Sequence, residues 1–189
     1  PAPAAAGGGD DDEDAGDWID EGGLSPLLFA ARVGDVESAK LLLEAGADLN
    51  DTRPEGANAL VVAAHGDQLA MVKFLLSKGA DVKTAGAGYT ALHAAILRGN
   101  LEMVEALIAH GADVNRKLEK GSVQRRQSKW YTFNGALVGA TPFFLAAKWD
   151  EPRILKLLTA AGADPTTGLN GQTPLMAAAG MGAGLPGRV

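Results

Sequence analysis

The chain of 189 residues contains no cysteine. That excludes a disulfide framework, a thiolate zinc site and a thiol nucleophile, and it leaves the redox compartment open. Long apolar runs are missing too: none approaches the roughly 18 residues expected of a membrane-spanning helix. Aromatics are few, with 3 Trp, 2 Tyr and 5 Phe, while 25 Gly and abundant Ala suit close helix-on-helix packing. His65, His93 and His110 make no i, i+4 pair and have no neighbouring carboxylate set, so no metal site is expected. Ala85-Gly86-Ala87-Gly88 lacks the Lys-Ser/Thr of a phosphate loop, and no spacing proposes a Ser-His-Asp arrangement. No cofactor and no enzyme activity are expected. A formal charge of −6 argues against bulk attraction to nucleic acid or anionic membrane, although the charges are unevenly spread.

What the chain has is a repeated unit, clearest from Gly88 to Asn115. Thr90 supplies an N-cap hydroxyl, and Leu92, Ala95 and Ile96 form an apolar stripe at helical spacing. Arg98-Gly99-Asn100 stops that helix and caps a second one. Leu101, Val104, Leu107 and Ile108 share one face of this second helix, and Gly111 ends it. First-helix starts recur at Ser25, Asn58, Thr90, Thr141 and Thr173, spaced by 33, 32, 51 and 32 residues. Pro26, Pro142 and Pro174 stand in first turns, where a missing N–H does no harm. Second helices are expected at about Asp35 to Ala45, Asp67 to Lys78, Asn100 to His110 and Glu151 to Ala161. The tetrads that follow them begin at Gly46, Gly79, Gly111 and Gly162 and are nearly identical. Two short helices cannot bury both apolar faces alone, so each unit requires neighbours.

Through Thr90-Ala91-Leu92-His93-Ala94-Ala95, Gly111-Ala112-Asp113-Val114-Asn115 and their weaker copies, residues 23–180 resemble the ankyrin repeat family. Thr141-Pro142-Phe143-Phe144-Leu145-Ala146-Ala147 is similar to its bacterial branch. The resemblance implies an all-α solenoid of helix pairs in an L-shaped stack with β-turn fingers, a non-catalytic scaffold for protein partners. Expected repeats are 23–55, 56–87, 88–115 and 139–165, with a partial one at 170–180. The motif His survives only as His93, replaced elsewhere by Leu28, Val61, Phe144 and Met176. On the family pattern, contacts come from finger tips and the inner face of the first helices. That nominates Arg53, Tyr89, Trp130, Tyr131 and Phe133 from fingers, and Arg32, His65, Arg98, Lys148 and Trp149 from helix ends. For Trp149, core packing is the alternative.

Three departures stand out against the repeat. The 51-residue spacing places an insertion at 116–138, with Arg116, Lys117, Lys120, Arg125, Arg126 and Lys129 against one acid, Glu119. Trp130 to Phe133, Asn134-Gly135 and Ala136 to Val138 read as a β-hairpin on a type I′ turn, hence an enlarged finger. It reads as a solvated loop or a protein-binding arm; for single-stranded nucleic acid it has no supporting motif, and the total charge opposes such a partner. Arg125-Arg126-Gln127-Ser128 also resembles a kinase site.

The second departure is residues 1–22. Pro1 to Gly9 is a small-residue spacer like those after signal-peptide cleavage, an expectation of export with a cytoplasmic location as the alternative. Asp10, Asp11, Asp12, Glu13 and Asp14 open an acidic run. Asp10, Asp12, Asp14 and Glu21 have calcium-loop spacing, but Ala15 stands where that loop needs Gly, so a solvated acidic run is the stronger reading. Trp18 and Ile19 are placed to pin this tail over the first repeat. The third departure is the Gly-rich 181–189, too rich in Gly for a second helix, so the repeat containing Met176 is left open. Acidic tail, basic finger and open end together suggest the alternative of head-to-tail self-association into a homo-oligomer or filament through Asp10 to Asp14, Trp18 and Met176.

Overall fold

A computed structural model describes residues 24–121 and 133–180. The first helices are α1 (Pro26–Val33), α3 (Ala59–His65), α5 (Ala91–Arg98), α7 (Pro142–Lys148) and α9 (Pro174–Ala178). Each starts where the sequence places a cap: Ser25, Asn58, Thr90, Thr141 and Thr173 accept the backbone N–H three residues on. A cap of this kind satisfies one of four donors that a helix leaves unpaired, typically worth about 1 kcal/mol. The return helices are α2 (Val36–Glu44), α4 (Leu69–Ser77), α6 (Leu101–Ala109) and α8 (Pro152–Ala160). Left-handed residues turn the chain between partners: Gly34, Asp67, Gly99 and Asp150. Asp67 therefore does not begin α4 as expected from sequence; with φ at +59° it forms the turn, and Gln68 is the cap.

The stack has two layers. α1, α3, α5, α7 and α9 pack on one another in order, and α2, α4, α6 and α8 lie alongside. The core runs between the layers as a line: Leu28, Leu60, Leu92, Phe144 and, from the return helices, Met71, Val104 and Leu107 are almost wholly buried. Among the described residues no helix is long and apolar enough to cross a membrane.

Polar links join successive repeats. Asp48, Asp81, Asp113 and Asp164 each accept the N–H two residues on, at 2.8 to 2.9 Å, and so shape the turn that follows the return helix. Buried Asn58 caps α3 and donates to the Asp81 carbonyl at 3.1 Å and Thr84 Oγ1 at 3.0 Å. Asn50 accepts from the Asp81 N–H at 3.0 Å, and Asn115 accepts from the Asp164 N–H at 2.8 Å. The second of these bonds skips the insertion, so the repeat before it and the repeat after it meet as ordinary neighbours.

The base of the insertion is closed. Leu118 N–H donates to the Ala140 carbonyl at 2.8 Å, Gly139 N–H donates to the Leu118 carbonyl at 2.7 Å, and Glu119 N–H donates to the Gly88 carbonyl at 2.7 Å. A Cβ at Gly121 would sit 2.7 Å from the Phe133 carbonyl oxygen, so the backbones of Gly121 and Phe133 meet. The expected hairpin is not formed by the described residues 133–138. Asn134 has φ −66°, its side chain accepts from Ala136 N–H at 2.9 Å, and Gly135–Leu137 is a single 3-10 turn. A type I′ turn needs positive φ at both central residues. Here the Asn side chain bonds its own backbone instead, and Leu137 is drawn into the core. Another Asn-Gly does make such a turn: Asn170 and Gly171 have φ of 52° and 77°, and Leu169 and Gln172 exchange both hydrogen bonds at 2.9 Å.

Two glycines with the same backbone test the closed base. Gly88 and Gly111 have φ of +88° and +87°, but a Cβ at Gly88 meets Lys120 N at 2.7 Å, whereas one at Gly111 meets nothing within 4 Å. Gly111→Ala is expected to lose about 1 to 2 kcal/mol of stability, from left-handed strain alone. Gly88→Ala adds an overpacking cost of about 1 to 3 kcal/mol. Urea denaturation compares them; equal losses would contradict the packing of Lys120 on Gly88.

Candidate protein-binding face

The inner layer ends in basic residues. Arg32, His65, Arg98 and Lys148 occupy the last turns of α1, α3, α5 and α7, while the last turns of α2, α4, α6 and α8 carry no basic residue. None of the five inner helices contains an acidic residue. A cation at a helix C-terminus interacts favourably with the dipole; on the outer layer the basic side chains Lys78 and His110 stand one position beyond the last turn, as the C-caps of α4 and α6. Arg98 does more than balance a dipole: its Nε donates to the His65 carbonyl at 2.7 Å, and Nη2 donates to the same oxygen. The guanidinium thereby caps α3 from α5.

Rings cross the same face. The centroids of His65 and Tyr89 are 5.9 Å apart, those of Tyr89 and Phe133 5.0 Å, and those of Phe133 and Trp149 6.4 Å. The line therefore spans α3, the turn before α5, the end of the insertion and the cap of α7. Phe133 also meets His93 edge to face, at 6.3 Å and 89°. Such ring pairs contribute about 0.5 to 1.5 kcal/mol beyond their area burial. Phe133 is fully buried, so it is not the exposed finger anchor its position suggests; it fills the space between Tyr89 and Trp149. Tyr89 and Trp149 stay partly exposed, and Arg32 is exposed.

Titratable groups here follow their surroundings. Burial pushes the Tyr89 hydroxyl up, opposed by the Arg53 charge and assisted by Glu55. Arg53 Nε pairs with Glu55 Oε2 at 3.3 Å, a partner the sequence reading did not assign although it lies two residues away. Partial burial lowers Lys148. His93 is pushed down to about 4, chiefly by burial, with Arg116 charge in the same direction and the Arg116 carbonyl and Asp113 opposing. Its Nδ1 accepts the Thr90 N–H at 3.2 Å and lies 2.9 Å from Thr90 Oγ1, a capping box that needs the neutral ring. Its Nε2 makes no hydrogen bond of ordinary geometry among the described residues, while the Arg116 backbone favours the protonated ring.

Of the remaining residues singled out by sequence, Met176 is partly buried in the first turn of α9, its N–H donated to Thr173 Oγ1 at 3.2 Å. Arg125, Arg126, Lys129, Trp130 and Tyr131 lie outside the described residues, as do Asp10, Asp11, Asp12, Glu13, Asp14 and Trp18. Among the described residues no three His, Asp or Glu side chains cluster as metal ligands. What the inner face assembles is flat rings and cations, which suit contact with another protein's surface.

Two consequences are measurable. Phe133→Ala removes a fully buried ring and is expected to cost about 3 to 5 kcal/mol in urea denaturation; a loss near zero would place Phe133 outside the core. His93 has an ordinary value near 6.5 and a folded value of about 4, so its contribution is full above pH 6.5 and is lost as pH falls towards 4. Between pH 7 and pH 4.5 that amounts to roughly 2 to 3 kcal/mol. His93→Gln should flatten this part of the pH dependence, whatever it does at pH 7; an unchanged slope would contradict the assignment.

A family model for ankyrin repeats (three copies) matches residues 27–117. The chain is 42% identical over 97 residues to the ankyrin repeat and KH domain-containing protein mask-1 of Caenorhabditis elegans, covering 50% of this chain and 4% of that protein. It is 32% identical over 169 residues to the putative palmitoyltransferase ZDHHC13 of Danio rerio, covering 88% of this chain and 22% of that protein. It is 39% identical over 97 residues to the B-cell lymphoma 3 protein homolog of Mus musculus, covering 50% and 22%. The chain thus spans less than a quarter of the length of each of these relatives. Ankyrin repeats bind protein partners, and the palmitoyltransferase match falls in the ankyrin region of that enzyme. With caps, left-handed turns and paired helices of one pattern continuing on both sides of the insertion, residues 27–117 are ankyrin repeats and the helices after them repeat the same unit.

Proposed function

We propose that this chain is a non-catalytic scaffold that receives a protein partner on the inner face between Arg32 and Trp149. The observation behind this is the convergence there of the ring line His65, Tyr89, Phe133 and Trp149 with the cations Arg32, Arg53, Arg98 and Lys148. Partly exposed aromatic and Arg side chains bury large area or make several charge-assisted bonds at modest ordering cost, which is why they dominate binding energies. Arg125, Arg126, Lys129, Trp130 and Tyr131 are further contacts on this reading; they lie outside the described residues, between Gly121 and Phe133 in the chain.

A second reading is association of copies through the solenoid ends. The observation favouring it is Leu175, next to Met176 on α9, which is 79% exposed. Light scattering at low salt separates the two: association requires particles heavier than the 19.3 kDa chain.

The scaffold reading is tested with Arg32→Glu and Lys148→Glu together on the inner layer, and Lys73→Glu on the outer layer as comparator. Lys73 is exposed and, among the described residues, pairs with exposed Glu102 at 3.3 Å, so its loss should cost the fold little. In capture from cell extract, the inner-face variant is expected to retain at most about a tenth of the partner, the effect of losing roughly 1.4 kcal/mol. The outer variant should retain it all. Loss in the outer variant with full capture by the inner one would move the binding surface to the other layer.

A further inference from the structure

One end of the stack carries a side chain that every other repeat hides. The residue four positions after the first-helix cap is Val62 in α3, Ala94 in α5, Leu145 in α7 and Ala177 in α9, exposed by 7%, 0%, 0% and 8%. In α1 the same position is Phe29, the largest of the five, and it is 57% exposed. Later repeats bury this position because an inner helix of the repeat before packs there, α1 on α3, α3 on α5 and so on. No described element precedes α1. Val33, one turn on from Phe29 and on the same side of the helix, is 52% exposed. On α2, Leu41 is 64% exposed, whereas its counterparts Phe74, Ala106 and Leu157 are partly buried. The terminal face of a solenoid is ordinarily polar, since it meets water. This one presents Phe29, Val33 and Leu41.

The chain immediately before this face supplies an occupant. Residues 1–23 contain two large apolar side chains, Trp18 and Ile19, and they stand six and five positions before Leu24. Six extended residues reach about 20 Å, roughly two helix spacings. Gly22 and Gly23 lie between them and α1, where a reversal of the chain is easiest. Charge does not decide the matter: exposed Arg32 and Lys40 border the face, and so do exposed Glu37 and Glu44. Apolar contact does. We propose that Trp18 and Ile19 fold back over Phe29, Val33 and Leu41, so that the segment before the first repeat serves as its cap in place of a polar terminal repeat.

The test is backbone hydrogen exchange in the whole chain. In Trp18→Ser/Ile19→Ser, exchange in α1 is expected to accelerate about tenfold or more while α5 is unchanged. Asp12→Asn/Asp14→Asn should change neither, because the contact is apolar. A second comparison guards against an indirect effect: in a Phe29→Glu background, which already gives the face a polar surface, the Trp18/Ile19 substitution should make at most about a quarter of its original difference. Unchanged α1 exchange in Trp18→Ser/Ile19→Ser would overturn the proposal. So would α1 protection that rises with protein concentration, since the occupant would then be a second copy.

Discussion

A pair of helices of eight or nine residues cannot bury two apolar faces by itself, and everything else in this protein follows from the need for a neighbour. The third repeat shows how the need is met. Ala95, Ile96, Val104 and Leu107 are fully buried between layers, and repeats on either side close the remaining faces. Polar atoms then fix the register between units. Asn58 reaches the next turn at Asp81, Asn100 donates to Asp67 at 2.8 Å, and Arg98 holds the end of α3. Each such bond contributes only about 1 kcal/mol, but each fixes one spacing, and a stack is a sum of spacings.

That constraint explains how the chain tolerates its insertion. A loop costs little extra as it lengthens, provided its ends are brought together. Here they are, at Gly121 and Phe133, on a base bonded to Gly88 on one side and Ala140 on the other. Asn115 and Asp164 then bond across it as Asn50 and Asp81 do in an uninterrupted pair. The inner face stays continuous, and Phe133 joins the rings contributed by repeats on both sides. The same alignment that stabilises the stack brings helix C-termini, and with them Arg32, His65, Arg98 and Lys148, onto one side.

Helix starts were legible in the sequence because a cap acts within three residues: Ser25, Asn58, Thr90, Thr141 and Thr173 each perform it. The layered fold followed from their spacing. Features that depend on distant packing were not legible. Asn134-Gly135 has the residues of a type I′ turn, yet it caps a 3-10 turn because Leu137 is buried and no described strand pairs with it. Asn170-Gly171, with the same two residues, forms the turn because Leu169 and Gln172 pair. Phe133 resembles a finger anchor in sequence and is buried in space, since nothing local reveals Tyr89, His93 and Trp149 around it. Asp67 looked like the start of a helix, and its left-handed backbone makes it the turn instead. Positions of Arg32, His65, Arg98 and Lys148 at helix ends were readable from the repeat; the bond from Arg98 to the His65 carbonyl was not.

One uninterrupted stack, with one inner face, passes through the closed base of the insertion. Replacing residues 122–132 with a short Gly-Ser link between Gly121 and Phe133, and following urea unfolding by circular dichroism, tests it most directly. A single transition is expected, with stability within about 0.5 kcal/mol of the parent. Two separate transitions, or a loss of several kcal/mol, would show that the insertion itself holds the two halves together and would contradict it.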